Sequence, residues 1–416
     1  MPLKRRSDSR FGALAERNFR FVFSSETISA LGDGVSTIAL AFAVLQISDS
    51  PAALGAVIAA RQAAMAAITL AAGVLADRLP RHLVLVAAAS VQGIVQAVSG
   101  VLVLTGNATV PRLAALTLVY GLAHGFVLPA SQGLIPLIVS AVRLQQANAL
   151  IGLSRSVLGF AGPAVGGVLV GLGSPGAALL VDAASFGVAA LLLVRVSIAP
   201  RDDVATPEPF LAELREGWNE FRRQTWIWTT IVFFGISNFA GASIFVLGPI
   251  VAKDDYGGAG AWAAIVSASG FGAVVGGLVA LRYKSRRPLL ASCVFSIPYG
   301  FQTLAIGLGL PLWALVANSA FAGLCLALHL ALWFTVFQQQ VPEAARSRVS
   351  SYDALGSFVL IPLGAAIAGP IAAVIGVHTT LVAAGVTAIV STLIVIAQPS
   401  VRALGTREPD AAPAAA

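Results

Sequence analysis

Membrane-length apolar segments, separated by short polar breaks, constrain this chain more than any other feature. A helix needs about 20 mostly apolar residues to cross hydrocarbon. Twelve such segments can be drawn, near 19–45, 52–76, 83–104, 112–139, 150–172, 175–196, 227–252, 261–281, 289–309, 312–337, 353–375 and 378–397. Strands of a membrane β-barrel would alternate apolar and polar at every second residue; stretches such as 70–76 and 382–397 carry no such alternation. The segments therefore predict an all-α membrane protein with twelve transmembrane helices. Composition agrees, with 57% hydrophobic and only 11% charged residues, where a soluble domain carries about 25% charged.

Positive charge orients the segments. Of 26 Lys and Arg, 22 lie before the first segment or at its start, after the even-numbered segments, or in the C-terminal tail. The loops on the other side hold only Arg112 and Lys253. The positive-inside rule then puts both termini in the cytoplasm and requires an even number of spans in the plasma (cell inner) membrane. Because the basic residues are spread over loops rather than gathered in one patch, nucleic acid is not expected as a partner. The basic stretch 1–20 is followed by an apolar run too long for a signal peptide, so the first segment is expected to be retained.

The longest polar stretch, 197–225, divides the chain into a cytoplasmic N-terminal segment (1–18), a first six-helix bundle (19–196), a cytoplasmic linker, a second six-helix bundle (226–397) and a cytoplasmic tail (398–416). Within the linker, Leu211, Leu214, Trp218 and Phe221 share one helical face. That pattern predicts an amphipathic helix against membrane lipids, the alternative being a solvated linker. The halves resemble each other: Gly73-Val-Leu-Ala-Asp77-Arg78-Leu-Pro-Arg81-His82 ends the second segment, and Gly277-Leu-Val-Ala-Leu281-Arg282 ends the eighth. Leu134-Ile-Pro136 followed by Arg143 is likewise echoed by Gln340-Val-Pro342 followed by Arg348. Repeated bundles around a midplane site are a transporter's layout.

Ionisable groups inside a span are functional candidates because burying charge is costly unless it is paired or wet. Asp33 stands about 14 residues into the first segment from the cytoplasm and Arg61 about 9 into the second from outside. At about 1.5 Å per residue their depths nearly coincide. A carboxylate beside an arginine can change its proton affinity as the contact changes, which makes Asp33 with Arg61 proton-coupling candidates. Glu26 and Arg155 share a depth nearer the cytoplasm and form a second candidate pair. For both pairs the alternative is a fixed packing bridge. His124 and His329 titrate near physiological pH when exposed, although a lone histidine among apolar residues is more often hydrogen-bonded and neutral. Softer substrate-cavity candidates are His124, Asn238, Asn318 and Trp333, with Gln302 and Phe233, Phe234 and Phe239 nearby; an apolar, aromatic wall with few polar groups suits lipophilic solutes.

No His, Cys and Asp cluster has metal spacing, and neither a GxxxxGK[ST] loop nor a GxSxG elbow is present. The chain is therefore not expected to be an enzyme or to hold a metal or cofactor. An ion gradient is the expected energy source.

The turn at 73–82 resembles the GxLaDrxGrr loop between the second and third helices of the major facilitator superfamily, with Pro80 for the usual glycine and His82 for a usual basic residue. In that family the loop latches the halves at the cytoplasmic face, which implies gating roles for Gly73, Asp77, Arg78 and Arg81. In the fifth segment, Gly159-Phe-Ala-Gly162-Pro163-Ala-Val-Gly166-Gly167 is similar to the GPxxGG antiporter motif of exporters. Its glycines strip one helix face of side chains and permit close helix approach. With Asn18-Phe-Arg20, Gly32-Asp33 and Leu180-Val-Asp182-Ala-Ala-Ser-Phe186, the chain looks most like the drug-export branch that includes macrolide and enterobactin exporters. The resemblance implies the two-bundle major facilitator fold, a monomer, and proton-linked export of small amphipathic or lipophilic molecules by alternating access. It also implies a structural rather than cavity-lining place for Asp182, since sixth helices of the family do not line the cavity. The alternatives are a proton-coupled importer of a metabolite and a non-transporting sensor or scaffold.

Overall fold

A computed structural model describes residues 12–197, 218, 222–341, 349, 352–353, 356–357 and 359–404, with the side chains of 69–78 and of 141 outside that description. Chain contacts divide it into two units, Met1–Asp49 with Ala60–Asp202, and Ser50–Ala59 with Asp203–Ala416. Most of the expected linker helix, and with it Leu211, Leu214 and Phe221, lies outside the described residues.

The first unit opens with a 3-10 turn, Gly12–Ala15, and continues through α1 (Arg17–Ile47), α2 (Pro51–Arg78), α3 (Arg81–Leu104), α4 (Val110–His124), α5 (Val127–Ile138), α6 (Leu144–Leu172) and α7 (Pro175–Val194). The second holds α8 (Thr225–Gly241), α9 (Ser243–Asp255), α10 (Ala259–Ala280), α11 (Pro288–Gly307), α12 (Leu312–Gln340), α13 (Ile361–Ile375), α14 (Val377–Ala397) and the short α15 (Pro399–Ala403). No strand occurs among the described residues. Eleven stretches of helix there are long and apolar enough to cross a membrane, and α13 is a shorter apolar helix. Large apolar side chains such as Ile94, Leu191, Phe271 and Trp313 are exposed, as suits helices solvated by lipid rather than water.

Three details differ from the sequence expectation. The fourth segment is two helices, α4 and α5, meeting at Gly125 and Phe126. Pro129 has no N–H for the Gly125 carbonyl four residues back, and the Phe126 N–H turns to Ala123 O at 3.3 Å. The seventh breaks at Ala242 between Gly241 and Ser243, where the Ser243 hydroxyl donates to Ala240 O at 2.7 Å. The charged turn at 73–82 is shorter than expected, because α2 stays helical to Arg78 and only Leu79 and Pro80 precede α3. Proline disfavours helix at the residue before it, and Pro80 O then accepts the Leu83 N–H at 2.8 Å.

In the first unit α1 packs on α6 and α7, and α3 on α7; in the second, α8 packs on α13 and α14, and α11 on α14. Counted as spans, the first with the fifth and sixth matches the seventh with the eleventh and twelfth, so the internal repeat extends to packing. The first nine residues of α2 belong to the second unit. Small residues permit this: a Cβ on Gly55 would lie 2.8 Å from Ala365 O, and Gly369 sits directly against Ala52.

Candidate functional site

The site grows from three consecutive residues of α1, Gly32-Asp33-Gly34. At about 3.6 residues per turn, successive side chains diverge by roughly 100°, so the two glycines face nearly opposite ways and Asp33 points between them. Gly32 lies against Asp182 and Ser185 of α7, and a Cβ on Gly34 would come within 2.6 Å of the Gly162 backbone in α6. With two faces given to close packing, the third carries the carboxylate. Glu26, seven residues earlier, lies on that same face.

Asp33 Oδ1 meets two groups. Arg61 Nη2 of α2 lies 3.6 Å away, and the Tyr120 hydroxyl of α4 donates to the same oxygen. Arg61 Cζ sits 4.3 Å from the centroid of the Tyr120 ring, so the guanidinium is held by a carboxylate and a π-face together. Tyr120 is 2% exposed, while the Arg61 and Asp33 side chains keep 21% and 27% exposure. The buried phenol backs a partly open ion pair. Tyr120 also stacks on His124 at 5.9 Å and meets Phe186 edge-on at 6.0 Å. Tyr120→Phe is expected to lower stability by about 1.5 kcal/mol, the low end for a hydrogen bond to a charged group because Arg61 still holds Asp33. Thermal unfolding in detergent checks this, and an unchanged midpoint would show that the bond contributes nothing.

Behind the ion pair runs a second polar layer. Gln92 and Gln96, one turn apart on α3, are both buried. The Gln92 side-chain nitrogen lies 3.1 Å from His124 Nδ1. With the amide as donor, Nδ1 accepts, and the imidazole is neutral with its proton on Nε2. Gln96 donates to Asp182 Oδ2, and Ser185 donates to the Asp182 carbonyl at 2.7 Å. His124, read from the sequence as a substrate-cavity residue, thus sits in the polar layer of the first unit.

Glu26 and Arg155 are brought together, with Arg155 Nη2 3.3 Å from Glu26 Oε2, and Ser131 donates to the other carboxylate oxygen. Arg155 is 51% exposed, so this pair gains little from burial. In the antiporter-like stretch, Gly162 and Gly166 lie against Gly34 and Val35 of α1, Pro163 abuts Gly34, and Gly159 faces open space. Gly167 is buried. Arg81 donates to the Gly133 carbonyl of α5. Gly73, Asp77 and Arg78 stand in the last turns of α2, and their side chains lie outside the described residues.

In the second unit Asn238 and Trp333 belong to one hydrogen-bonded chain through Ser357, whose hydroxyl donates to Asp353 Oδ1 at 3.2 Å, while Asn318 stands apart. Asn238 donates to Ser357 O at 2.8 Å, and Trp333 Nε1 to Asp353 Oδ2 at 3.1 Å. Phe234 packs edge-on against Trp333 and His329, and Gln302 donates to Ser319 at 2.9 Å. Asn318 stands fifteen residues before Trp333 on α12, about 22 Å along the helix axis. Four participants were not among the sequence candidates: Tyr120, Gln92, Gln96 and Asp353. The first three carry a legible signal, since Tyr120 with His124 and Gln92 with Gln96 are i, i+4 polar pairs inside apolar segments. Asp353 opens its segment, where a charge at the interface is ordinary.

Comparison with known proteins places this geometry. A family model described as transmembrane secretion effector (MFS_3) matches residues 8–412. The chain belongs to this family of the major facilitator superfamily. It is accordingly a multi-pass membrane transporter rather than an enzyme. It is 29% identical to the enterobactin exporter EntS of Shigella boydii serotype 18 over 367 residues, covering 83% of this chain and 85% of that one. The fold is also that of a bacterial homologue of the human lysosomal transporter Spinster (TM-score 0.71, 15% identity, 92% and 96% of the two chains). A nucleoside transporter, NupG, is similar too (TM-score 0.69, 14% identity, 91% and 98% covered).

Proposed function

We propose that this major facilitator protein exports small amphipathic or lipophilic compounds from the cytoplasm in exchange for protons, by alternating access. The observation that carries the reading is Asp33, an acid inside a membrane span, sharing one oxygen between Arg61 and Tyr120. Proton binding to Asp33 would weaken its hold on Arg61, and departure of Arg61 would raise its proton affinity. The two events are reciprocal, as coupling requires. Glu26 with Arg155 serves as a second, more exposed relay at the cytoplasmic end of the same face. The α2–α3 junction, with Gly73, Asp77 and Arg78 at the end of α2 and Arg81 at the start of α3, acts as the cytoplasmic gate; both termini lie in the cytoplasm, and the protein works as a monomer in the plasma membrane.

Likeness to an enterobactin exporter supports the outward direction, and the α1–α6 contact at the antiporter-like glycines fits it. The test is flux in purified proteoliposomes under an imposed pH gradient, over a panel of amphipathic compounds and metabolites. Gradient-driven movement of an amphipathic compound against the proton flow is the expected result. Movement with the protons would make the protein an importer, and no movement of any compound would remove the transport reading of Asp33.

A further inference from the structure

Asp77 of the first charged turn has Leu281 as its counterpart in the second, and the loop after α10 carries Arg282, Lys284, Arg286 and Arg287. No Asp or Glu occurs between Asp255 and Glu343, so α10, α11, α12 and the loops joining them hold no acid. Basic residues of the first unit are engaged: Arg81 donates to the Gly133 carbonyl, and Arg143 lies 3.5 Å from Glu16. The four cations of the α10–α11 loop are exposed. Their side chains form no ion pair or hydrogen bond with another described residue. The positive-inside rule accounts for cations in such a loop but not for what lies beneath them.

That is a cavity of about 250 Å³ within the second unit. α10 and α12 run parallel, since Gly272 abuts Ala320 and Gly276 abuts Leu324, which puts the α10–α11 loop and the end of α12 at one membrane face. Lys284, Ser285 and Gln339 line the cavity at that face, and Leu328, Ala331 and Leu332 line it deeper along α12. Gln339 and Leu328 are eleven residues apart on that helix, about 16 Å at 1.5 Å per residue. One leaflet's hydrocarbon is about 15 Å deep. The polar groups at the mouth are donors. Ser285 Oγ accepts the Arg287 N–H at 3.2 Å, which leaves its own proton for another acceptor; Lys284 offers three protons and Gln339 an amide. Tyr283, which also lines the cavity, is held edge-on by Phe295 at 5.4 Å. On α10 beside the loop, Leu278 and Leu281 are 61% and 81% exposed, a surface suited to lipid tails rather than water.

We propose that this cavity binds one anionic phospholipid, with the phosphate on Lys284 and Ser285 beneath the loop arginines and the start of an acyl chain along Ala331 and Leu332 of α12. Basic pockets between membrane helices suit such headgroups. Three features select this occupant. Donors and cations without a neighbouring acid call for an anion. A free phosphate would leave the apolar inner wall unused. A zwitterionic headgroup would bring a further cation toward the four already there.

Native mass spectrometry of the full chain in detergent, offered phosphatidylglycerol or phosphatidylcholine, reads the occupancy. The wild type is expected to keep one phosphatidylglycerol at concentrations where phosphatidylcholine is lost. Lys284→Gln should weaken that retention about fivefold, the worth of one cation at an anionic headgroup. Ala331→Trp fills the apolar part of the cavity and leaves every charge in place, and should weaken it at least as much; Ala331→Leu is the milder form should the tryptophan not fold. Arg195→Gln, at the end of α7 in the first unit, should change nothing. Equal retention of the two lipids, or no effect of Lys284→Gln, overturns the proposal. So does phosphatidylglycerol that survives filling of the cavity, since loop charge alone would then hold it, or an equal loss in Arg195→Gln. Displacement by glycerol phosphate at matched concentration would assign the site to a soluble anion and overturn the lipid. None of these readouts involves flux, so a failure of the proposed export leaves them standing, and an empty cavity leaves the export reading untouched.

Discussion

Asparagine at position 33 is expected to lower gradient-driven transport in proteoliposomes at least about tenfold, within the 5–150-fold span of coupling energies of about 1–3 kcal/mol. The substitution keeps the shape of the side chain and a hydrogen-bond acceptor for Tyr120, whose hydroxyl donates to Asp33 Oδ1. What it removes is the negative charge 3.6 Å from Arg61 and the ability to take up a proton. Substrate exchange without a gradient needs no net proton movement and should persist. Asp33→Glu, which keeps a titratable acid on a longer stem, should recover part of the driven flux. Full driven transport by Asp33→Asn would remove this residue from coupling, and equal loss of exchange and driven flux would reduce it to a structural support.

Leucine at position 162 is expected to cost about 3 kcal/mol or more of stability, the upper part of the range for overpacking a close-packed interior. Such a loss is over a hundredfold in the folded-to-unfolded ratio. A Cβ on Gly162 would lie 2.7 Å from Gly34 Cα and 3.1 Å from Leu31 O. These are backbone atoms of α1, which cannot rotate away, so the helices must part. The control lies in the same stretch: Gly159 has nothing within 4 Å of a built Cβ, and Gly159→Leu should melt close to wild type. Thermal unfolding of both variants by size-exclusion recovery separates the two glycines. Equal destabilisation, or none at Gly162, would show that the α1–α6 contact is not set by these residues.

The separation between the two glycines shows where sequence reading stops. A motif names Gly159 and Gly162 alike, but one abuts a neighbouring backbone and the other does not, because rotation about the helix axis is fixed by packing rather than by spacing. Depth, in contrast, follows from helical rise alone, and so Asp33 with Arg61 and Glu26 with Arg155 could be paired from residue counts. The same counts cannot say which face of α4 turns toward α1. That orientation brings Tyr120 onto Asp33 and His124 onto Gln92.

Hydropathy by itself determined that the chain is an all-α, multi-pass membrane protein in two repeated halves, since only a hydrogen-bonded helix or closed barrel survives in lipid and the periodicity excludes the barrel. Sequence also located the intramembrane acids, because each stands out against apolar neighbours. Only the tertiary structure decided what those acids touch: Arg61 and the Tyr120 hydroxyl at Asp33, and the Gln96 amide and Ser185 hydroxyl at Asp182. The physical reason is that burial and hydrogen-bond direction arise from several helices meeting at once, a relation among distant residues that no single stretch of the chain encodes.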